Sequence, residues 1–203
     1  MSITWHRGFK RVLSGVALSA LAAGFVAFAA APAHAADGPT LIEAPNFDNT
    51  THVVDQWIFA SGGARWMKAL DDPAWSKDDV ELITYARNGG RNQLWHFTRQ
   101  QDRSYQIRNV HSGKCVTAYP AGPVTQADCN GRPQQHWTIK QVSYSPSWTA
   151  NAYQFVNVST RKALSQFGHP STPKPFDPTA NGAKVFQSKP NINDKYQFWK
   201  IVR

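Results

Sequence analysis

Three short stretches decide the fold of this chain: NQLWHF (residues 92–97), QQHWTI (134–139) and YQFWKI (196–201). Each holds a glutamine, one further residue and a tryptophan, and a second large apolar residue follows two positions later. Side chains two positions apart on a strand lie on the same face of a sheet. Each stretch therefore predicts a β-strand whose tryptophan, with about 150–250 Å² to bury, faces a hydrophobic core.

The glutamines and tryptophans of these stretches are predicted to be structural. A fold built from equivalent units needs a large core residue at the same place in each unit, and tryptophan supplies it. A neighbouring glutamine side chain can satisfy backbone groups where the chain leaves regular strand pairing. The residues concerned are Gln93, Trp95, Gln135, Trp137, Gln197 and Trp199.

A second repeat lies between the tryptophans. The stretch YQIRNVHSGKCVTAY begins at Tyr105, and the similar YQFVNVSTRKALSQF begins at Tyr153, 48 residues later. Counting 49 residues back from Tyr105 reaches Gln56. That register matches two apolar pairs: Ile58 with Ile107 and Met67 with Val116. We therefore predict an all-β domain over residues 51–203, made of three units of about 48 residues.

The first 35 residues have the features of a secretory signal peptide. Three basic residues precede an uncharged apolar run, and Ala33-His34-Ala35 matches a small-x-small cleavage pattern. An uncleaved membrane anchor is the alternative, because about twenty apolar residues can span a bilayer. The cleavage pattern favours a secreted, extracellular protein with no membrane span, in which residues 36–50 form a polar lead-in.

The charge of the chain bears on its partners. The formal net charge is +9, and it becomes +6 when the three basic residues of the first 35 are removed. The basic residues are scattered and do not alternate with aromatic residues, so a nucleic-acid partner is not expected. Binding to an anionic polymer through net charge remains an alternative, and it would weaken steeply with salt.

The two cysteines, Cys115 and Cys129, both lie in the part predicted to be exported. A disulfide is therefore expected, and closing a loop of about 15 residues stabilises a fold by about 3 kcal/mol in the chain-entropy model. No further cysteine or close histidine pair supports a metal site. The chain also lacks G-x-S-x-G, H-E-x-x-H and phosphate-loop motifs, so we predict neither an enzyme nor a cofactor.

Three units of this size, each ending in Gln-x-Trp, resemble the ricin B-type lectin family. The order SGKC (112–115), DCNG (128–131) and QHW (135–137) is similar to the order within one repeat of that family. The cysteine spacing also resembles its disulfide within a repeat. The resemblance implies a β-trefoil with three pseudo-threefold repeats, and a glycan or glycoprotein as partner.

The resemblance further implies a sugar site made of an acid, an aromatic ring and an asparagine. The asparagine stands directly before Gln-x-Trp, and the ring stands seven residues earlier. In the first unit these are Asn92 and Tyr85. The constant repeat spacing puts Lys68 at the acid position, whereas Asp71 lies three residues further on. Asp71, Tyr85 and Asn92 are the predicted carbohydrate-binding residues, and the acid position stays open between Asp71 and Lys68.

The other two units depart from this pattern. The corresponding residues are Thr117, Ala127 and Gln134 in the second unit, and Ser165, Ser188 or Lys189, and Tyr196 in the third. At most one intact sugar site is therefore expected, in the first repeat. The alternative is a protein-interaction or toxin-delivery subunit whose trefoil has lost its sugar sites.

Two loops could contact a partner. The stretch DDPAWSKDD (71–79) places Trp75 in acidic, polar company, so its ring is a possible contact for a glycan or a protein. Residues 168–182 carry four prolines and are predicted to form a long surface insertion or a partner-contacting loop.

Overall fold

The computed structural model describes residues 39–59, 65–143, 152–166 and 180–203. These residues form β-strands joined by turns and short 3-10 segments, which confirms the all-β prediction. The expected signal peptide, and residues 168–179 of the proline-rich loop, lie outside the described residues. Within the described part of the chain, no helix has the length and apolar character needed to cross a membrane.

The strands are numbered in chain order. They are β1 Thr40–Glu43, β2 Thr50–Phe59, β3 Arg65–Asp71, β4 Ile83–Ala86, β5 Leu94–Arg99, β6 Tyr105–Asn109, β7 Cys115–Thr117, β8 Thr125–Ala127, β9 His136–Ser143, β10 Ala152–Asn157, β11 Ala163–Ser165, β12 Ala183–Lys184, β13 Phe186–Ser188 and β14 Trp199–Val202.

Six of these strands close into a barrel. In order around the barrel they are β2, β5, β6, β9, β10 and β14, and β14 pairs again with β2. Three smaller antiparallel pairs extend from it: β3–β4, β7–β8 and β11–β13. The predicted lead-in contributes to this fold, because β1 pairs along β9 and Phe47 lies in the hydrophobic core.

The three tryptophans occupy equivalent places in the core. None has any exposed surface. Each indole Nε1 donates a 3.0 Å hydrogen bond to a backbone carbonyl oxygen of its own unit, so the indole N–H is satisfied although the ring is buried. The acceptors are Leu70 for Trp95, Val116 for Trp137 and Leu164 for Trp199. These acceptors define matching positions in the three units.

The three glutamines close equivalent loops. Gln93 accepts a 2.9 Å bond from the backbone N–H of Asn88 and donates a 3.0 Å bond to the carbonyl oxygen of Ala86. The same two bonds recur in the other units, from Gln135 to Asn130 and Asp128, and from Gln197 to Asn191 and Lys189. Because the amide both accepts and donates, it bonds backbone groups at the end of a strand and in the turn that follows it.

The predicted register of the first unit is wrong. His52 pairs with Trp95 in the way that Tyr105 pairs with Trp137, so the first unit is counted from His52 rather than from Gln56. The residues that match Ile107 and Val116 are therefore Val54 and Leu70, and not Ile58 and Met67.

The cause is the length of one hairpin. The pairing of β2 with β3 continues beyond Gln56, as far as Phe59 and Arg65. As a result, 14 positions separate Gln56 from Leu70. In the second unit, 7 positions separate the corresponding Asn109 and Val116. A constant repeat length therefore gives a match that is too late in β2, Ile58 instead of Val54. It gives a match that is too early in β3, Met67 instead of Leu70.

Candidate functional site

A surface groove of about 280 Å³ lies beside the first unit. Its lining includes the residues that the sequence indicated for ligand contact, namely Asp71, Trp75, Tyr85 and Asn92. Asp71 ends β3, and Trp75 lies in the loop that follows. Tyr85 belongs to β4, and Asn92 belongs to the 3-10 turn Arg91–Gln93. The fold thus brings together side chains that are spread over some twenty positions of the sequence.

Asp71 occupies the position that the repeat spacing assigned to Lys68. Asp71 directly follows Leu70, whose carbonyl oxygen accepts the bond from Trp95. In the other units, Thr117 and Ser165 likewise follow the residues that accept the bonds from Trp137 and Trp199. Lys68 lies further back on β3, where its Nζ donates a 2.5 Å bond to Oδ1 of Asn181. Lys68 was assigned to the acid position for the same reason that the register was wrong: a constant repeat length does not allow for the long hairpin between β2 and β3.

The carboxylate of Asp71 is held by two amides. Asn92 Nδ2 lies 3.0 Å from Asp71 Oδ2, and Gln93 Nε2 lies 2.6 Å from the same oxygen. Both donors use Oδ2, so Oδ1 is the carboxylate oxygen left for a ligand in the groove. Burial raises the pKa of Asp71 to about 6, although the bonds from Gln93 and Asn92 oppose this shift. At neutral pH the group is thus mainly an ionised hydrogen-bond acceptor.

A second buried carboxylate, that of Asp72, directly follows the first in the chain. Its Oδ1 accepts a 3.0 Å bond from Gln126 Nε2, and its Oδ2 is buried without a partner among the described residues. Burial raises the pKa of Asp72 to about 6; His111 opposes the shift and the charge of Asp71 adds to it. Two adjacent buried carboxylates are costly to the fold, and such perturbed groups cluster at functional sites.

Two aromatic rings form the exposed walls of the groove. Tyr85 is 40% exposed and Trp75 is 46% exposed. The edge of the Trp75 ring packs against the backbone at Gly90. A Cβ atom there would lie 2.5 Å from both Asn92 Oδ1 and Trp75 Cζ2. Gly90 therefore lets the tryptophan ring approach the asparagine that holds the carboxylate.

The loop carrying Trp75 is held in an uncommon backbone conformation. Ala74 and Trp75 both have φ near +56°, in the left-handed region that non-glycine residues rarely adopt. Gln126 Nε2 restrains the loop by donating to the carbonyl oxygens of Ser76 and Asp78, at 3.1 and 3.0 Å. Strain of this kind persists only where the surroundings impose it.

His111 supports the same loop from the second unit. Its ring meets the Trp75 ring edge to face, with the centroids 5.1 Å apart, and its Nε2 lies 2.9 Å from the Trp75 carbonyl oxygen. Sequence reasoning did not identify Asp72, Gln126 or His111 as site residues. The last two belong to the next unit, so no local pattern links them to the groove.

The equivalent positions of the other units carry different chemistry. Strand pairing matches Tyr85 with Ala127 and with Ser188, rather than Lys189. The acid position holds Thr117 and Ser165, and both side chains are buried. The hydroxyl of Thr117 accepts a 3.1 Å bond from Gln135, and that of Ser188 accepts one of 2.8 Å from Gln197. These positions thus provide neither a carboxylate nor a ring.

The predicted disulfide is present. Cys115 and Cys129 are bonded, with their Cα atoms 5.1 Å apart. The bond ties the start of β7 to the segment that follows β8. Among the described residues, no group of three or more His, Cys, Asp or Glu side chains is arranged to hold a metal ion.

Comparison with known proteins gives a family and a fold. A family model described as a ricin-type β-trefoil lectin domain-like matches residues 56–126 and 91–149. No curated protein sequence gives a significant match. Among solved structures, the chain is similar to ThreeFoil, a designed 3-fold symmetric protein, with a TM-score of 0.57 and 24% identity over 75% of this chain and 98% of that one.

Two natural proteins share the fold. A mosquitocidal holotoxin gives a TM-score of 0.57 at 18% identity, over 76% of this chain and 17% of that one. A ricin B-like lectin from Macrolepiota procera, solved in complex with lactose, gives 0.55 at 18% identity, over 79% of this chain and 99% of that one. These identities indicate a common fold and no more. Residues 56–149 of this chain match the model of the ricin-type β-trefoil lectin-like family.

Proposed function

We propose that this protein is a secreted, carbohydrate-binding module with a β-trefoil fold and one sugar site, in the first-unit groove. The observation that carries the proposal is the Asp71 carboxylate, bonded to Asn92 and flanked by the exposed rings of Tyr85 and Trp75. The disulfide between Cys115 and Cys129 supports the exported location, because such bonds persist in oxidising compartments.

The groove suits a pyranose chemically. A sugar ring offers a patch of C–H groups on one face, which an exposed aromatic ring such as Tyr85 can cover. It also offers hydroxyl groups around its rim, and Asp71 Oδ1 can accept hydrogen bonds from them. The bonds from Asn92 and Gln93 fix the carboxylate before a ligand arrives, so little side-chain freedom is lost on binding.

A protein-interaction or toxin-delivery role has less support. That alternative drew on Lys68, Thr117 and Ser165 at the three acid positions and on the exposed Trp75 loop. In the structure the groove contains Asp71 in place of Lys68, and Trp75 lines the same groove. The similarity to a holotoxin extends to the fold alone at 18% identity. A single shallow sugar site binds weakly, near the millimolar end of the affinity scale, and we propose binding without catalysis.

The test is sugar binding by the purified protein and by two matched variants. Tyr85→Ala removes the ring from the groove, whereas Tyr119→Ala removes a ring that is exposed to a similar degree, 47%, elsewhere on the surface. Titration with galactose-type and other monosaccharides, followed by NMR, should show at least about tenfold weaker binding for Tyr85→Ala and no change for Tyr119→Ala. Folded protein that binds no sugar, or two variants with equal affinity, would contradict the proposal.

A further inference from the structure

A second groove, of about 400 Å³, lies next to the sugar groove. It is lined by His96, Arg108 and His111 together with the turn between β6 and β7. His96 and Arg108 stand directly opposite each other across the β5–β6 pair. Because direct cross-strand neighbours lie on the same face of a sheet, a basic ring and a guanidinium stand side by side here. We call this the basic groove.

The positive charge of the basic groove is not neutralised by the protein. Among the described residues, no carboxylate forms an ion pair with Arg108. Two acids of the surrounding loops, Asp79 and Asp128, are each 2.7 Å from the ammonium group of Lys114. Asp72 is buried and accepts a bond from Gln126. The guanidinium is therefore open to an anion from outside.

The guanidinium of Arg108 is also held in place. Its Nε donates a 2.7 Å bond to the carbonyl oxygen of Gly113, which leaves its terminal nitrogens for a ligand. Gly113 has φ of +74°, and a Cβ atom at this position would lie 3.1 Å from Arg108 Nη2. Glycine thus permits both the turn and the close approach of the side chain. A planar, fixed guanidinium is well suited to bind the oxygens of a sulfate or carboxylate.

Residues that line the sugar groove contact residues that line the basic groove. His111 lines the basic groove, and its ring contacts Trp75, which lines the sugar groove. Asn109 joins the two sides: its Nδ2 donates a 2.9 Å bond to the Asn92 carbonyl oxygen, and its Oδ1 accepts a 2.8 Å bond from the His111 backbone. The two grooves are therefore adjacent and fixed relative to each other.

We propose that the basic groove binds the acidic group of a glycan whose neutral sugar unit lies in the sugar groove. The acidic group is a sulfate ester or the carboxylate of an acidic sugar, with Arg108 as its principal partner. This inference rests on the proposed function, since it assigns acidic oligosaccharides as the class of ligand. In this proposal the anion binds at one defined site, whereas the alternative raised by the sequence was general attraction of an anionic polymer by the net charge.

The test compares matched pairs of glycans. An array that carries neutral oligosaccharides beside their sulfated and sialylated derivatives is probed with the protein, and the best pair is then titrated in solution. We expect about tenfold tighter binding to the acidic member, with the sulfated and sialylated arms identifying the anion. Arg108→Gln should abolish this preference and leave the neutral member unchanged. Arg132→Gln, which removes an exposed arginine outside both grooves, should change neither.

The outcomes separate this inference from the proposed function. Equal binding of neutral and acidic members, or equal behaviour of Arg108→Gln and Arg132→Gln, overturns the anion site and leaves the sugar site standing. Acidic binding that Arg108→Gln weakens but Asp71→Asn does not would retain the anion site and remove the sugar site. Folded protein that binds neither member overturns both.

Discussion

The buried charge of Asp71 should lower the stability of the fold, although the same carboxylate is needed to bind sugar. The substitution Asp71→Asn separates the effect on stability from the effect on binding. Asparagine has nearly the same shape, and its carbonyl oxygen can still accept from Asn92 and Gln93. The substitution removes a charge that burial disfavours. We therefore expect a more stable protein that no longer binds sugar well.

The size of the effect follows from the pKa. Burial raises the pKa of Asp71 from 3.8 to about 6, and one pKa unit corresponds to 1.36 kcal/mol, so the ionised group costs the fold about 3 kcal/mol. The folded pKa lies above the unfolded one, so this cost is full above about pH 6 and disappears below about pH 4. Asp71→Asn should thus add up to about 3 kcal/mol to the free energy of unfolding at pH 7.5 and almost nothing at pH 4.

Urea unfolding at these two pH values, followed by tryptophan fluorescence, measures the difference. Asp78→Asn removes the same charge from an exposed position of the neighbouring loop and should change the free energy of unfolding by less than about 0.5 kcal/mol. A variant at Asp71 that loses stability equally at both pH values would refute the reasoning, because it would show that the carboxylate is needed for packing. NMR titration of Asp71 and Asp72 would report apparent values for the pair, since the two charges interact.

Three further predictions concern the groove and the disulfide. Sugar affinity should fall as the pH drops below about 6, because protonation of Asp71 removes a carboxylate acceptor; binding that is constant from pH 8 to pH 4.5 would contradict this. Gly90→Ala should displace the Trp75 ring, since the new methyl group would lie 2.5 Å from it, and should weaken sugar binding at least about tenfold while costing the fold about 1–3 kcal/mol. Tryptophan fluorescence and sugar titration measure both effects. Replacement of both cysteines by serine should lower the free energy of unfolding by about 3 kcal/mol and leave sugar affinity unchanged, because neither cysteine lines the sugar groove.

Much of the fold could be predicted from local patterns. Strand periodicity, the repeated tryptophans and the count of two cysteines all concern residue types at short separations. They led to an all-β chain with a tryptophan core and one disulfide, which the structure confirms. The family resemblance implied Asn92 and Tyr85, and both could be placed because they are counted from Trp95 along an uninterrupted stretch.

The acid position was not accessible in this way. Its distance from the next unit depends on the length of the hairpin between β2 and β3, and repeat counting cannot measure that length. The constant repeat spacing assigned Lys68 to the acid position and left Asp71 three residues further on, whereas in the structure Asn92 donates a hydrogen bond to Asp71.

The sequence by itself determined the class of fold and the three tryptophans of the core, and the family resemblance implied part of the candidate sugar site. Tertiary structure alone decided the rest of that site and the whole of the basic groove. The physical reason is that each groove is built between units: Gln126 contacts Asp72 across 54 residues, and His111 contacts Trp75 across 36. Closing the barrel creates these contacts, and no local spacing contains them.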